Sequence, residues 1–169
     1  MSDIEEKADR AAVRLVEELA GGHYTLVLAE SCTCGLVSDL IARVSGASAA
    51  LWGSFVCYSP EAKKRMLHID GAFLEKHGLV SAETAGEMAV NALDIADVDF
   101  AASVTGLAGP LGDGSDKPVG TVFAAIARRV NGEVTVSVKP LFFRGSRNEI
   151  RIQAALAVIE EMLKAVNNK

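Results

Sequence analysis

The chain has 169 residues, half of them hydrophobic and 23% charged, with a formal net charge of −5. That length fits one domain whose core needs no crosslinks, and the acidic balance argues against a nucleic-acid partner, which selects a basic surface. Cys32, Cys34 and Cys57 are an odd set without the spacing of a secreted disulfide scaffold or a structural zinc site, so free thiols in a reducing compartment and no bound metal are expected.

The N-terminus, MSDIEEKADRAA, lacks the apolar stretch of a signal peptide. No run of residues is apolar for long enough to span a bilayer, and a cytoplasmic protein is expected. Ile4, Ala8, Ala11, Ala12, Leu15, Val16 and Leu19 recur at helical spacing, and Gly21-Gly22 ends that helix. Residues 25–30, TLVLAE, read as a short buried strand running through SCTCG into a helix that carries Leu36, Val37, Leu40, Ile41 and Val44. Residues 54–58, SFVCY, read as a second strand. Ser59-Pro60 then starts a helix, with serine as N-cap and proline at the first helical position. A further helix spans about 81–96, capped by Ser81.

Residues 99–106 form a strand, followed by the glycine-rich loop LAGPLGDGSDKP. Two long strands, 119–130 and 133–143, flank Asn131-Gly132, a hairpin signal because both residues tolerate positive φ. A last helix starts near Ser146. The order α-β-α-β-α-α-β-β-β-α predicts an α/β fold of three layers, α/β/α, around a mixed sheet with a late antiparallel hairpin. One domain is expected over residues 1–169.

Four places carry residues suited to chemistry. In LAESCTCG, Ser31, Cys32 and Thr33 follow a strand at a helix start, where free backbone N–H groups hold an anion. A plain N-cap role for Ser31 or Thr33 explains the same residues. Lys63 lies early in the helix after Tyr58, where the helix dipole disfavours a cation. It is either a solvated surface lysine or an amine with a lowered pKa that serves as a base. The segment Thr105, Gly106, Leu107, Ala108, Gly109 opens a loop too long to be a mere connection, though it matches neither a P-loop nor GxGxxG. Arg144, Arg147 and Arg151 offer forks for phosphate or carboxylate, or simple pairs with nearby acids. His23, His68 and His77 all sit away from strand ends.

Taken in order, AESCTCG, YSPEAK, SVTGLAGP, KPVGTV and FRGSR cover about residues 29 to 155. Together they resemble the C-terminal domain of CinA (competence/damage-inducible protein A) and its stand-alone relatives, the nicotinamide-nucleotide amidohydrolases. Larger members of that family carry a molybdopterin-binding-like domain ahead of this one, which is not expected in 169 residues. The resemblance implies hydrolysis of the carboxamide of nicotinamide mononucleotide to nicotinic acid mononucleotide and ammonia, without a cofactor. It maps the nucleophile onto Ser31, the base onto Lys63 and a relaying or stabilising tyrosine onto Tyr58. Backbone N–H groups of Cys32 and Thr33 are then expected at the oxyanion. Thr105, Gly106, Ala108, Gly109 and Arg147 are expected at the small-molecule nucleotide, and the chain is expected to form a homo-oligomer.

The family pattern has Gly-Gly where this chain has Cys34-Gly35. Cys34 is expected inside the following helix, where a small side chain is tolerated. Beside the amidohydrolase stands a reading from another class, a non-catalytic nucleotide-binding or regulatory module of the same fold. The pairing of Ser31 with Lys63 argues against it. An esterase or peptidase with the same pair is disfavoured by the glycine loop, which suits a phosphorylated substrate.

Overall fold

A computed structural model describes residues 2–168. The first helix, α1 (Asp3–Gly21), begins in a capping box in which Ser2 and Glu5 satisfy each other's backbone N–H groups. Its stripe of Ala8, Ala12, Leu15 and Leu19 is fully buried. The strands are β1 (Leu26–Glu30), β2 (Leu51–Val56), β3 (Phe100–Gly106), β4 (Thr121–Val130) and β5 (Glu133–Phe142). Between and after them run α2 (Leu36–Ala42), α3 (Pro60–Leu67), α4 (Gly71–His77), α5 (Ala82–Ala96) and α6 (Arg147–Asn167).

The sheet order is β2-β1-β3-β4-β5. β1 pairs in parallel with both β2 and β3, and the remaining pairs are antiparallel. This is the expected three-layer α/β/α arrangement with a mixed sheet. Alternation along β1 sends Leu26 and Leu28 to one face, where α1, α2 and α6 pack, and Val27 and Ala29 to the other, where α3, α4 and α5 pack. On that second face, Ala85, Ala89, Ala92 and Ala96 of α5 meet Ala101, Ala125 and Ala127 of the sheet. Small side chains on both partners let helix and sheet approach closely, which accounts for a core with few aromatic rings.

Local signals hold where they are strong. Ser59 accepts the Ala62 N–H with Pro60 at the helix start, Ser81 caps α5, and Ser146 opens α6 in a second capping box. The hairpin turns through Asn131 (φ 52°) and Gly132 (φ 84°). Two elements differ from expectation. β2 starts at Leu51, opposite Leu26 at the start of β1, and stops at Val56, opposite Glu30 at its end, leaving Cys57 and Tyr58 beyond the strand. The helical stretch expected to run on through His68 and end at His77 is two helices: His68 in the left-handed region (φ 54°) ends α3, and Asp70 caps a separate two-turn α4 that stops at Gly78 (φ 80°).

Candidate active site

The carboxyl ends of β1, β2 and β3 open into one cleft of about 220 Å³. Because β1 and β2 are parallel neighbours, the residues that follow them emerge side by side. Ser31 comes directly after β1, and α3 begins four residues beyond β2. Lys63, on the inward face of α3, folds back toward the strand ends. Its Nζ lies 3.0 Å from Ser31 Oγ and 2.9 Å from the Cys57 carbonyl oxygen.

The electrostatics of this pair follow from burial. Lys63 is only 1% exposed, and no salt bridge joins it to a carboxylate among the described residues. Desolvation therefore drives its pKa below the ordinary value of 10.5, weakly opposed by the Cys57 and Cys32 thiols. The same burial pushes Cys32 up to about 12 and Cys57 up to about 11. Both thiols stay protonated near neutrality, so Cys32 does not compete with Ser31 as a nucleophile. Lys64, one residue along, is exposed and pairs with Glu61.

The loop that carries Ser31 is held by a residue the sequence reading passed over. Glu30 is 1% exposed. Its Oε2 accepts from Thr33 Oγ1 at 2.8 Å and from the Gly35 and Val37 N–H groups at 3.0 Å each. Its Oε1 accepts from the Ser38 N–H and hydroxyl at 2.9 Å and from Ser54 Oγ at 3.2 Å. Glu30 thus caps α2 with a carboxylate, and neither Ser31 nor Thr33 serves as the N-cap. The available signal was an acid closing a strand that is otherwise wholly apolar, followed by Thr33, Gly35 and Ser38 as donors.

Cys34 corrects an expectation. It precedes α2 rather than lying in it and has φ 51°, with Gly35 next at φ 90°. The loop must turn back on itself for the Gly35 N–H to reach Glu30, and the left-handed conformation at both residues makes that turn. A side chain at Cys34 is accommodated because it points into solvent, at a conformational cost of about 1 kcal/mol relative to glycine.

Of the other expected residues, Cys32, Tyr58, Thr105, Gly106, Ala108, Gly109 and Arg147 all line the cleft, and Thr33 does not. Thr33 is fully buried, its hydroxyl spent on Glu30 and its carbonyl accepting from Arg151 Nη2 at 2.7 Å. The Cys32 and Thr33 N–H groups make no backbone–backbone hydrogen bond among the described residues, and both lie against the Cys32 sulfur. Thr105 directs its hydroxyl to the Leu79 carbonyl at 2.8 Å, tying β3 to the segment before α5. A Cβ on Gly106 would lie 2.7 Å from Val122 and 2.8 Å from the Thr121 carbonyl oxygen, so this glycine serves close strand packing. Arg147 donates to the Gly109 carbonyl at 2.7 Å and to the Tyr58 hydroxyl at 2.8 Å. Tyr58 is half exposed, and its hydroxyl meets Arg147 rather than Ser31 or Lys63. Leu79 and Val80, which the sequence reading did not single out, join Leu107 and Leu111 as an apolar wall, and Gly112 and the acid Asp113 line the cleft beside them.

The fold and site together define a class: an α/β domain with a serine hydroxyl held against a buried, unpaired lysine amine at the ends of parallel strands. Residues 8–166 match the CinA C-terminal domain. The chain is 43% identical over 152 residues to a CinA-like protein of Geobacter sulfurreducens, covering 90% of this chain and 35% of that protein. It is 40% identical over 148 residues to a CinA-like protein of Prochlorococcus marinus, covering 88% and 34%. The chain thus spans about a third of the length of these curated relatives. Among solved structures, the competence/damage inducible protein CihA from Agrobacterium tumefaciens superposes with a TM-score of 0.86 at 35% identity, covering 96% of each chain. A CinA superfamily protein from Klebsiella pneumoniae superposes with 0.89 at 25% identity, covering 96% and 99%. The chain belongs to the CinA C-terminal domain family.

Proposed function

We propose that this protein is a cytoplasmic amidohydrolase that converts nicotinamide mononucleotide to nicotinic acid mononucleotide and ammonia, and that residues 1–169 act as one catalytic domain. The observation that carries the reading is the 3.0 Å contact between Ser31 Oγ and the buried amine of Lys63. A lysine kept from water and from carboxylates is primed to be neutral, and neutral amine is the form that takes a proton from serine. A retired binding module has no use for such a pair, and burying an amine without a counter-charge is costly.

In the acylation step, Ser31 Oγ attacks the carboxamide carbon while its proton passes to Lys63 Nζ. The carbonyl electron pair moves onto oxygen, where the Cys32 and Thr33 N–H groups, which make no backbone–backbone bond and follow Ser31 directly, serve as donors. Collapse of the tetrahedral species breaks the C–N bond, and Lys63 returns the proton so that ammonia leaves. Water then adds to the acyl carbon, gives its proton to Lys63, and the acid departs as Ser31 is re-protonated. Arg147 retains guanidinium donors beyond those given to Gly109 and Tyr58, and these suit the substrate phosphate. Tyr58 serves the site by holding Arg147 at the cleft mouth.

Ammonia release from the purified protein tests this, with nicotinamide mononucleotide set against free nicotinamide and the dinucleotide. The mononucleotide is the expected preferred substrate. Ser31→Ala should cut turnover by several orders of magnitude with substrate affinity kept, and a strong chelator should leave the rate unchanged. Retention of more than a few per cent of activity by Ser31→Ala would move the nucleophile elsewhere.

A further inference from the structure

The loop between β3 and β4 brings one carboxylate into the cleft. Among the described residues that line it, Asp113 is the single acid, set in the same cleft as Lys63 and Arg147. Its Oδ1 accepts from the Ser115 N–H at 3.0 Å and from the Ser115 hydroxyl at 2.6 Å. Those two bonds hold the carboxyl below its ordinary range, so it is ionised at neutral pH, and Lys117 acts on it only through space.

This charge has no part in the acylation chemistry. That step needs the Ser31 hydroxyl, a neutral amine and donors at the oxyanion, and a phosphate on Arg147 is better held with no acid nearby. An anion in a cleft that receives an anion is explained when the ligand also carries a positive charge. A pyridine mononucleotide does: the bond to ribose quaternises its ring nitrogen, and the ring bears a full positive charge. The same charge draws electrons from the carboxamide carbon and, beside Lys63, favours the neutral amine.

We propose that Asp113 is a specificity-determining residue whose carboxylate reads the positive charge of the ring, so that the cleft takes the oxidised, zwitterionic mononucleotide and disfavours the reduced one. The proposal rests on the mononucleotide reading above. The reduced form keeps the ribose, the phosphate and the carboxamide but has an uncharged dihydropyridine ring. The cleft holds about 220 Å³, a sphere about 7.5 Å across, so a ring inside it lies within about one Debye length of the charges on its wall. A ligand that fills the cleft also displaces the water that screens them.

Calorimetric binding to Ser31→Ala, in which turnover is expected to be lost, tests this with the two mononucleotides as probes. The oxidised form should bind about tenfold tighter than the reduced form. Asp113→Asn in that background keeps the shape and the acceptor for Ser115, and should bring the two affinities together. Ser115→Ala loosens the same turn with the charge intact, and should leave the preference in place. An equal loss of affinity for both forms in Asp113→Asn assigns the residue to the ribose hydroxyls they share, and overturns the proposal. So does a preference that survives Asp113→Asn, or equal binding of both forms when Asp113 is present. Binding with the expected preference but no ammonia release from the parent refutes the hydrolase reading alone. Failure to bind either form refutes both.

Discussion

A lysine amine held out of water beside a serine has two fates that chemistry distinguishes. If Lys63 acts as the base, activity should rise with pH along a limb set by its lowered pKa, because only the unprotonated amine accepts the Ser31 proton. Lys63→Arg should be almost inactive, since a guanidinium holds its proton throughout that range. Lys64→Arg, about 100° around the helix and exposed to water, should match the parent. Comparing the two pH–rate profiles checks this, and similar profiles would make Lys63 an ordinary packed residue. The Cys32 and Cys57 thiols face the same amine, and burial pushes both above the ordinary lysine value, so neither thiol supplies that limb.

The junction from β1 to α2 shows how a short element is held by one side chain. α2 has seven residues and no side-chain cap at Gly35, so its stability rests on the Glu30 carboxylate accepting from the Gly35, Val37 and Ser38 N–H groups. Glu30→Gln puts an amide donor against backbone donors while changing little in volume. Loss of about 1–3 kcal/mol is expected, read as a lowered melting temperature. Because the same carboxylate shapes the turn that presents Ser31, kcat should fall more than tenfold with KM changing less, at a temperature where the variant is folded. An unchanged kcat in a folded Glu30→Gln would limit Glu30 to stability and separate the loop's shape from catalysis. Cys34 belongs to the same turn, and its left-handed backbone is the local strain the carboxylate cap sustains.

At the scale of the whole molecule, the buried amine sets stability against function. The unfolded Lys63 keeps its proton up to about pH 10.5, whereas the folded value is lower. Between the two values the unfolded state binds more protons, so stability rises with pH across that window. Below the folded value the chain carries the full penalty of charging Lys63 inside the protein, about 1.4 kcal/mol for each unit of lowering. Lys63→Met removes the charge at similar volume. It should be more stable than the parent at neutral pH, with the advantage shrinking toward pH 10.5. Chemical denaturation at several pH values measures this, and a variant less stable at every pH would mean the amine's hydrogen bonds to Ser31 and Cys57 outweigh its desolvation.

What was legible from the sequence was local. Ser59-Pro60, Ser146 with Glu149, and Asn131-Gly132 act within one turn of chain, so the residues themselves announce the helix starts and the hairpin. The apolar run of β1 before Glu30 and the positions of Ser31 and Lys63 just past strand ends could likewise be read without coordinates. Tertiary structure alone decided that β1 and β2 are neighbours, and only that adjacency sets Ser31 against Lys63. It also decided that Lys63 is dry, that Thr33 and Thr105 spend their hydroxyls inside the protein, and that Glu30 rather than Ser31 caps α2. Those outcomes depend on desolvation and on donors brought from distant segments. A propensity acting over a few residues carries no information about either.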